Sequence, residues 1–179
     1  MPRQEIRDID GRLLFQGDFP SLATCVQAAV AAGVNFAGAD LAGINLAGAN
    51  LANAYLGGAR LTNACLNGTS LRCADLTGSN LAGASLRGAD LTNAHLIDAI
   101  VIAANLCGAT IVEAQLDRAD FTNSDLAGAN LYESFLEGTV FRHAILRGVD
   151  FEDTHRNGIV LGGAQTDGAL CLDDDNSEA

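Results

Sequence analysis

Hydrophobic residues recur every five positions from Val34 to Asp153, without an insertion or deletion in that stretch. The third position of the twenty-four units holds Leu eighteen times, Phe four times, and Val101 and Ile111 once each. The first position is small, with sixteen Ala and five Ser or Thr. A period of five fits neither the about 3.6 residues of a helical turn nor the alternation of a long strand. We therefore predict a short extended piece and a turn in every unit, stacked into a solenoid.

The fifth position of the unit predicts the type of turn. It is Gly in twelve units and Asn in four, the residues that most readily adopt the positive φ needed late in a type II turn. Eight units depart from this rule, mostly after residue 97; they include Asp98, Ala103, Glu113, Arg118, Glu133 and His143. We expect looser, less regular turns in the C-terminal half.

Segments such as 39–43 (Ala-Asp-Leu-Ala-Gly) and 89–93 (Ala-Asp-Leu-Thr-Asn) resemble the A(D/N)LxX motif of the pentapeptide-repeat family. The resemblance implies an all-β solenoid, a right-handed quadrilateral parallel β-helix with four pentapeptides per coil. The first and third positions would point inward, and residues 34–153 would make six coils, with a partial seventh beyond. Coils would stack about 4.8 Å apart. Residues twenty apart would then share one column of one face.

The two ends of the chain do not follow the repeat. Segments 5–9 and 12–16 flank Asp10-Gly11, which predicts a tight β-hairpin, and Ser21 then opens a helix that Gly33 closes. We interpret 1–33 as an N-terminal hairpin and helix cap, similar to the leader of bacterial and phage members of the family. Residues 34–168 would form the β-helix, and 169–179 a C-terminal cap remnant and acidic tail. Residues 169–172 or another subunit would cover the last coil, so we expect a monomer or a homodimer.

Composition and charge narrow the class of protein. No segment resembles a signal peptide and no apolar run reaches the about 18 residues of a membrane span, so we expect a cytoplasmic protein without a membrane partner. Five cysteines without CxxC spacing do not make a disulfide framework. The net charge is −12 and all ten basic residues are Arg, which argues against nucleic-acid binding.

The register of twenty predicts an acidic column. It comprises Glu113, Glu133 and Asp153, with Asp150 and Glu152 nearby. Two interpretations stay open: solvated surface acids, or an imitation of DNA directed at DNA gyrase, as the family resemblance implies for some members. Against the second, B-DNA carries about one charge per 1.7 Å of axis, whereas residues 34–168 carry a net charge of only −7.

Outward apolar residues supply two further candidate surfaces for a partner. The first comprises Ile97, Ile100 and Ile102, which we expect at one corner. The second comprises Tyr132, Phe135, Val140 and Ile145, which we expect around the later coils.

No constellation of residues predicts catalysis, a metal site or a cofactor. His95 and His155 would share a column three coils apart, and His143 would lie on another face, so the three cannot share a metal. Asp75 would lie beside His95 as a surface pair. No nucleophile with its base and no phosphate-binding loop is recognisable. We predict a non-enzymatic scaffold or protein-interaction module with an unidentified partner. The alternative is a DNA mimic that binds gyrase, either inhibiting the topoisomerase or protecting it from quinolones.

Overall fold

The computed structural model of the chain describes residues 1–172, and the predicted acidic tail at 173–179 lies outside the described residues. Three regular elements precede the repeats: strand β1 (Arg3–Arg7), strand β2 (Leu13–Asp18) and helix α1 (Leu22–Ala31). From residue 35 on, the chain forms a ladder of short parallel β-bridges separated by turns.

Each bridge in the ladder joins two residues that are twenty positions apart, so four pentapeptides complete one coil. The N–H of a third-position residue donates to the next coil, as from Phe36 N to Tyr55 O at 2.8 Å. The N–H of a second-position residue donates to the preceding coil, as from Arg60 N to Ala39 O at 2.8 Å. The predicted register of twenty is confirmed.

The core lies inside the coils, where the first and third positions point as predicted. Third-position side chains from Phe36 to Phe151 are at most 1% exposed. Each fully buried Leu or Phe stabilises the fold by about 1.5–3 kcal/mol. In the later coils Phe121 stacks on Phe141, with ring centroids 5.3 Å apart.

The turns are as regular in the C-terminal half as in the N-terminal half, so the prediction of looser turns is wrong. All twenty-four fifth-position residues have positive φ, and the non-glycine ones lie between 54° and 60°. Backbone contacts hold this conformation: Ala119 N donates to Leu116 O across the turn at 2.9 Å, and Arg118 N donates to Glu137 O of the next coil at 2.8 Å. The stacked coils therefore impose a conformation that costs a non-glycine residue about 1–2 kcal/mol.

The predicted N-terminal hairpin is present, but its turn is longer than predicted. β1 and β2 pair antiparallel, and residues 8–12 connect them in place of a two-residue turn at Asp10-Gly11. The Asp8 carboxylate accepts hydrogen bonds from the backbone N–H groups of Asp10 at 3.1 Å and Arg12 at 2.8 Å. This side chain therefore organises a wider loop.

Helix α1 begins and ends where the sequence predicts. The Oγ of the N-cap residue Ser21 accepts a hydrogen bond from Thr24 N at 3.2 Å. Gly33, with φ +69°, follows the C-cap residue. The buried residues of the helix join the same hydrophobic core as the first coil; they are Cys25, Val26 and Ala29.

The hairpin also engages backbone groups of the first coil. Asp40 N donates to Arg7 O at 2.8 Å, and Ile9 N donates to Gly38 O at 3.0 Å. In later coils the N–H that corresponds to Asp40 N donates to the preceding coil. Arg7 therefore takes the place that a preceding coil would occupy.

At the C-terminal end the ladder continues beyond the hydrophobic pattern. Arg156 and Thr166 occupy third positions and are half-buried, yet the bridges run on to Leu170. Leu161 and Leu172 pack against the core and are partly buried.

Candidate protein-interaction surface

Second-position side chains point outward and define four flat faces, each a column of residues twenty apart. Face A holds Asn35, Tyr55, Asp75, His95, Gln115, Phe135 and His155. Face B runs from Asp40 to Val160, face C from Asn45 to Gln165 and face D from Asn50 to Leu170. Each column rises by about 4.8 Å per coil.

Many Asp and Asn residues on these faces have a structural role. Their side chains accept a hydrogen bond from the N–H two residues later, as Asp120 does from Thr122 N at 2.9 Å. Asp150, which the sequence places beside the acidic column, accepts one from Glu152 N at 3.0 Å. An acid at the second position is therefore not by itself a sign of a binding site.

The predicted acidic column lies in the turns between faces D and A. Glu113, Glu133 and Asp153 are exposed and occupy the same turn in three successive coils, and Glu152 precedes Asp153. We call these four residues the first acidic edge. Three of them line a shallow groove of about 610 Å³; its lining residues are Asn93, Glu113, Gln115, Glu133, Phe135, Asp153 and His155.

Tyr132 lies next to Glu133 of the first acidic edge, and the negative charge of that edge shifts its pKa. A hydrogen bond with the Glu133 carboxylate and the charge of that group raise the pKa of Tyr132 to about 12. The carboxylates of Asp153 and Glu152 act in the same direction. Nearby negative charge disfavours the phenolate, so the tyrosine stays a neutral donor.

A second acidic edge borders the other side of face A and comprises the turn residues Asp98, Asp117, Arg118 and Glu137. The Arg118 guanidinium donates to both carboxylate oxygens of Asp98 at 2.7 and 2.9 Å. This pairing holds the pKa of Asp98 below its usual range. Asp117 accepts a hydrogen bond from Glu137 N at 2.9 Å. Face A thus lies between two rows of carboxylates.

Face A also carries exposed aromatic rings. Tyr55 is 56% exposed and Phe135 is 42% exposed. The Phe135 ring stacks on the His155 imidazole of the next coil, with centroids 4.8 Å apart and ring planes 12° from parallel. Asp75 and His95 are bridge partners on this face, as the register predicts.

The three predicted isoleucines do not meet at one corner. Ile100 lies on face B and is 40% exposed, whereas Ile97 and Ile102 lie in the two turns that bound this face. The expectation of a shared corner is wrong, because the turns on either side of a second-position residue lie at opposite edges of its face.

The second predicted apolar surface is distributed around one coil. Phe135 lies on face A, Val140 on face B and Ile145 on face C. Tyr132 lies in the turn that precedes Phe135. Of the four residues, only Tyr132 and Phe135 border the same face.

Within residues 1–172, no group of His, Cys, Asp and Glu side chains could hold a metal ion. In the same part of the chain, no helix has the length and hydropathy needed to cross a bilayer. All five cysteines are free. Burial, together with a hydrogen bond to Asp125, raises the pKa of the Cys107 thiol, which keeps it protonated.

The family model described as pentapeptide repeats matches residues 32–68, 69–106, 102–138 and 119–155. A search of curated proteins finds no match. Among solved structures, the pentapeptide repeat protein Rfr23 from the cyanobacterium Cyanothece 51142 is 37% identical, with a TM-score of 0.51. This match covers 52% of the chain and 64% of Rfr23, less than two thirds of the length of that protein.

Two further solved structures are similar. HetL from Nostoc sp. strain PCC 7120, a pentapeptide repeat protein involved in heterocyst differentiation regulation, is 30% identical over 73% of this chain and 69% of its own, with a TM-score of 0.48. QnrB1, a plasmid-mediated fluoroquinolone resistance protein, is 20% identical over 74% of this chain and 79% of its own, with a TM-score of 0.37. At that level the likeness to QnrB1 carries no argument about function.

Proteins of the matched family fold as right-handed quadrilateral β-helices. The bridges twenty residues apart and the inward first and third positions agree with that architecture. The family model covers most of the repeat region, from residue 32 to residue 155. The chain belongs to the pentapeptide-repeat family.

Proposed function

We propose that the protein is a non-enzymatic scaffold whose flat faces bind a protein partner. The observation that carries this proposal is the projection of Tyr55 and Phe135, two large exposed rings, from one face of the bridge ladder. Aromatic side chains supply much of the binding energy of protein interfaces. Proteins with pentapeptide repeats are in general structural or interaction proteins, which agrees with this role.

Within this proposal the three segments have separate roles. Residues 1–33 cap the first coil, a role that the hydrogen bond from Asp40 N to Arg7 O supports. Residues 34–168 form six to seven coils and carry the binding faces. Residues 169–172 cover part of the last coil, unless a second subunit does so. The free cysteines suit the reducing conditions of the cytoplasm.

Affinity capture tests the scaffold proposal. The immobilised protein is exposed to a soluble bacterial lysate, and retained proteins are displaced with an excess of free protein. We expect at least one retained lysate protein whose displacement reaches a plateau as more free protein is added. The Leu86→Asp variant, which places a charge in the fully buried third-position column, separates binding by folded faces from binding by the unfolded chain. Equal retention by this variant, or no displaced protein, would refute the proposal.

The local charge of the first acidic edge supports a second function, imitation of DNA toward DNA gyrase. From Glu113 to Asp153 the solenoid rises about 10 Å, over which B-DNA carries about six charges. The four residues of the first acidic edge and Asp150 supply five carboxylates over the same rise. The imitation would be local, because residues 34–168 carry a net charge of only −7.

Inhibition of gyrase supercoiling by the purified protein tests this second function. The control is a triple variant, Glu113→Gln, Glu133→Gln and Asp153→Asn, which keeps the size of the side chains and removes three charges. Inhibition at low micromolar protein that the variant loses would favour DNA mimicry and a role in topoisomerase inhibition or quinolone protection. No inhibition, or inhibition that the variant retains, would exclude the acidic edge as a DNA mimic.

A further inference from the structure

Every outward Phe or Tyr ring in residues 34–172 lies on face A or in a turn that borders it. The chain has seven Phe and two Tyr. Phe15 and Phe19 precede the repeats, and four Phe residues fill third positions in the core. The remaining three Phe and Tyr residues are Tyr55 and Phe135 on face A and Tyr132 in the turn that precedes Phe135. Aromatic residues are enriched at protein interfaces, so their restriction to one side of the solenoid singles out that side.

The charge distribution singles out the same side. After residue 91, face A and the turns on both sides of it carry seven carboxylates and one guanidinium on outward positions. That guanidinium belongs to Arg118 and is paired with Asp98. Over the same residues, face C on the opposite side and its turns carry two carboxylates and two guanidiniums; the residues are Asp125, Arg142, Arg147 and Asp167. The solenoid is therefore strongly negative on its aromatic side and neutral opposite.

We propose that face A of the later coils binds a basic, arginine-bearing segment of a protein partner, an inference that rests on the proposed scaffold function. Within one coil the order is Glu133, Phe135, Glu137, which puts a turn carboxylate on each side of the exposed ring. A guanidinium stacks on aromatic faces and pairs with carboxylates in a planar geometry that an ammonium lacks. The His155 imidazole covers one face of the Phe135 ring, so a guanidinium would stack on the part of this 42% exposed ring that stays accessible and would pair with the carboxylates on either side of it.

Other occupants fit face A less well. A nucleic acid would meet the carboxylates of both acidic edges. A second copy of this chain would offer seven arginines in residues 34–168, and four of these guanidiniums are already paired with carboxylates: Arg60 with Asp40, Arg72 with Asp90, Arg118 with Asp98 and Arg147 with Asp167. A basic segment of another protein needs no such exchange of partners.

Fluorescence anisotropy with two labelled peptides, nona-arginine and nona-lysine, tests the aromatic part of the proposal on the full chain. We expect tighter binding of nona-arginine, and about 3- to 10-fold weaker binding of that peptide by Phe135→Asn. Asn occupies the second position in other units, such as Asn105, so the turn is retained. The matched control, Ile145→Asn on face C, should bind like the unsubstituted chain. Equal affinity for both peptides, with no effect of Phe135→Asn, would overturn the proposal.

Two triple variants with the same change in net charge test the location of the site. Glu113→Gln, Glu133→Gln and Asp153→Asn remove charge beside face A, whereas Asp120→Asn, Asp125→Asn and Asp167→Asn remove it from faces B and C and a turn beside face C. We expect the first triple variant to bind nona-arginine at least about tenfold more weakly than the second. If both triple variants lost the same fraction of their affinity for nona-arginine, the peptide would be attracted by the net charge of the chain and not by face A, and the proposal would be overturned. So would sedimentation showing that face A variants dissociate a dimer, since face A would then be a self-association surface.

The outcomes also separate this inference from the scaffold function. If lysate capture succeeds and Phe135→Asn retains the captured protein while Ile145→Asn loses it, the scaffold function stands and face A is the wrong surface. If capture itself fails, the scaffold function fails, whatever the peptides do.

Discussion

The hydroxyl groups of the first position provide a stringent test of the packing between coils. In the twenty-four units of residues 34–153, five first-position residues are Ser or Thr, and all five are fully buried. Four of them donate to the carbonyl oxygen of a third-position residue in the preceding coil: Thr69 to Leu46 (2.8 Å), Ser124 to Val101 (2.6 Å), Ser134 to Ile111 (2.5 Å) and Thr139 to Leu116 (2.9 Å). In the part of the chain that the structure describes, only the Ser79 Oγ is buried without a hydrogen-bond partner.

This difference predicts opposite effects of the same substitution. A buried polar group without a partner costs about 1–3 kcal/mol, so Ser79→Ala should raise the free energy of unfolding by about 1 kcal/mol or more. Ser124→Ala removes two buried hydrogen bonds, the one that Ser124 Oγ donates to Val101 O and the one that it accepts from Ala104 N, and should lower the free energy of unfolding by about 1 kcal/mol or more. Sixteen units already hold Ala at this position, so the methyl group fits at both sites. The two variants should therefore differ by about 2 kcal/mol.

Equilibrium unfolding in urea measures the difference. The midpoint for Ser79→Ala should lie above that of the unsubstituted protein and the midpoint for Ser124→Ala below it, with an unchanged slope. Equal destabilisation by the two substitutions would refute the reasoning, because it would mean that Ser79 makes the same contribution as its repeat equivalents.

Two further predictions concern the turns and the acidic edge. Ala103→Gly should raise the free energy of unfolding by about 1 kcal/mol, because the backbone φ of Ala103 is +54°. Ala127→Gly, at a turn position where φ is not positive, should lower the free energy of unfolding by about 0.5–1 kcal/mol. If urea unfolding gave both substitutions the same sign, the imposed turn conformation would be contradicted. In a Tyr55→Phe background, Tyr132 is the sole tyrosine, and its phenolate absorbance should titrate with a pKa of about 12. Adding Glu133→Gln should lower that pKa, and an unchanged titration would refute the contact.

The alignment of residues into columns could be predicted from the sequence, because the residue types at two positions of each pentapeptide determine it. A large apolar residue recurs at the third position of all twenty-four units, and a small residue holds the first position of twenty-one of them, so residues twenty apart had to align. Phe135 and His155 could therefore be placed on one face from the sequence. Their stacking could not, since it depends on the side-chain conformations of two neighbouring coils.

Other features depend on contacts between neighbouring coils, so the sequence pattern alone does not predict them. Arg118 and Glu133 adopt the φ that glycine adopts because hydrogen bonds between coils hold the turn, so their side chains do not loosen it. Ser79 and Ser124 occupy the same repeat position, and only the packing distinguishes them. The hairpin turn is longer than the Asp10-Gly11 pattern predicts. The Asp8 carboxylate accepts hydrogen bonds from Asp10 N and Arg12 N and so stabilises a loop of five residues, which a two-residue pattern does not reveal.

Site-specific photocrosslinking tests most directly the claim that the solenoid binds a partner through face A. One benzoylphenylalanine is placed in turn at Asn130, Phe135, Val140 and Ile145, which lie on faces D, A, B and C of a single coil. Each variant is irradiated with the protein captured from the lysate. We expect a crosslinked product from position 135 and none from position 145, on the opposite face. Equal products from all four positions, or a product chiefly from position 145, would contradict it.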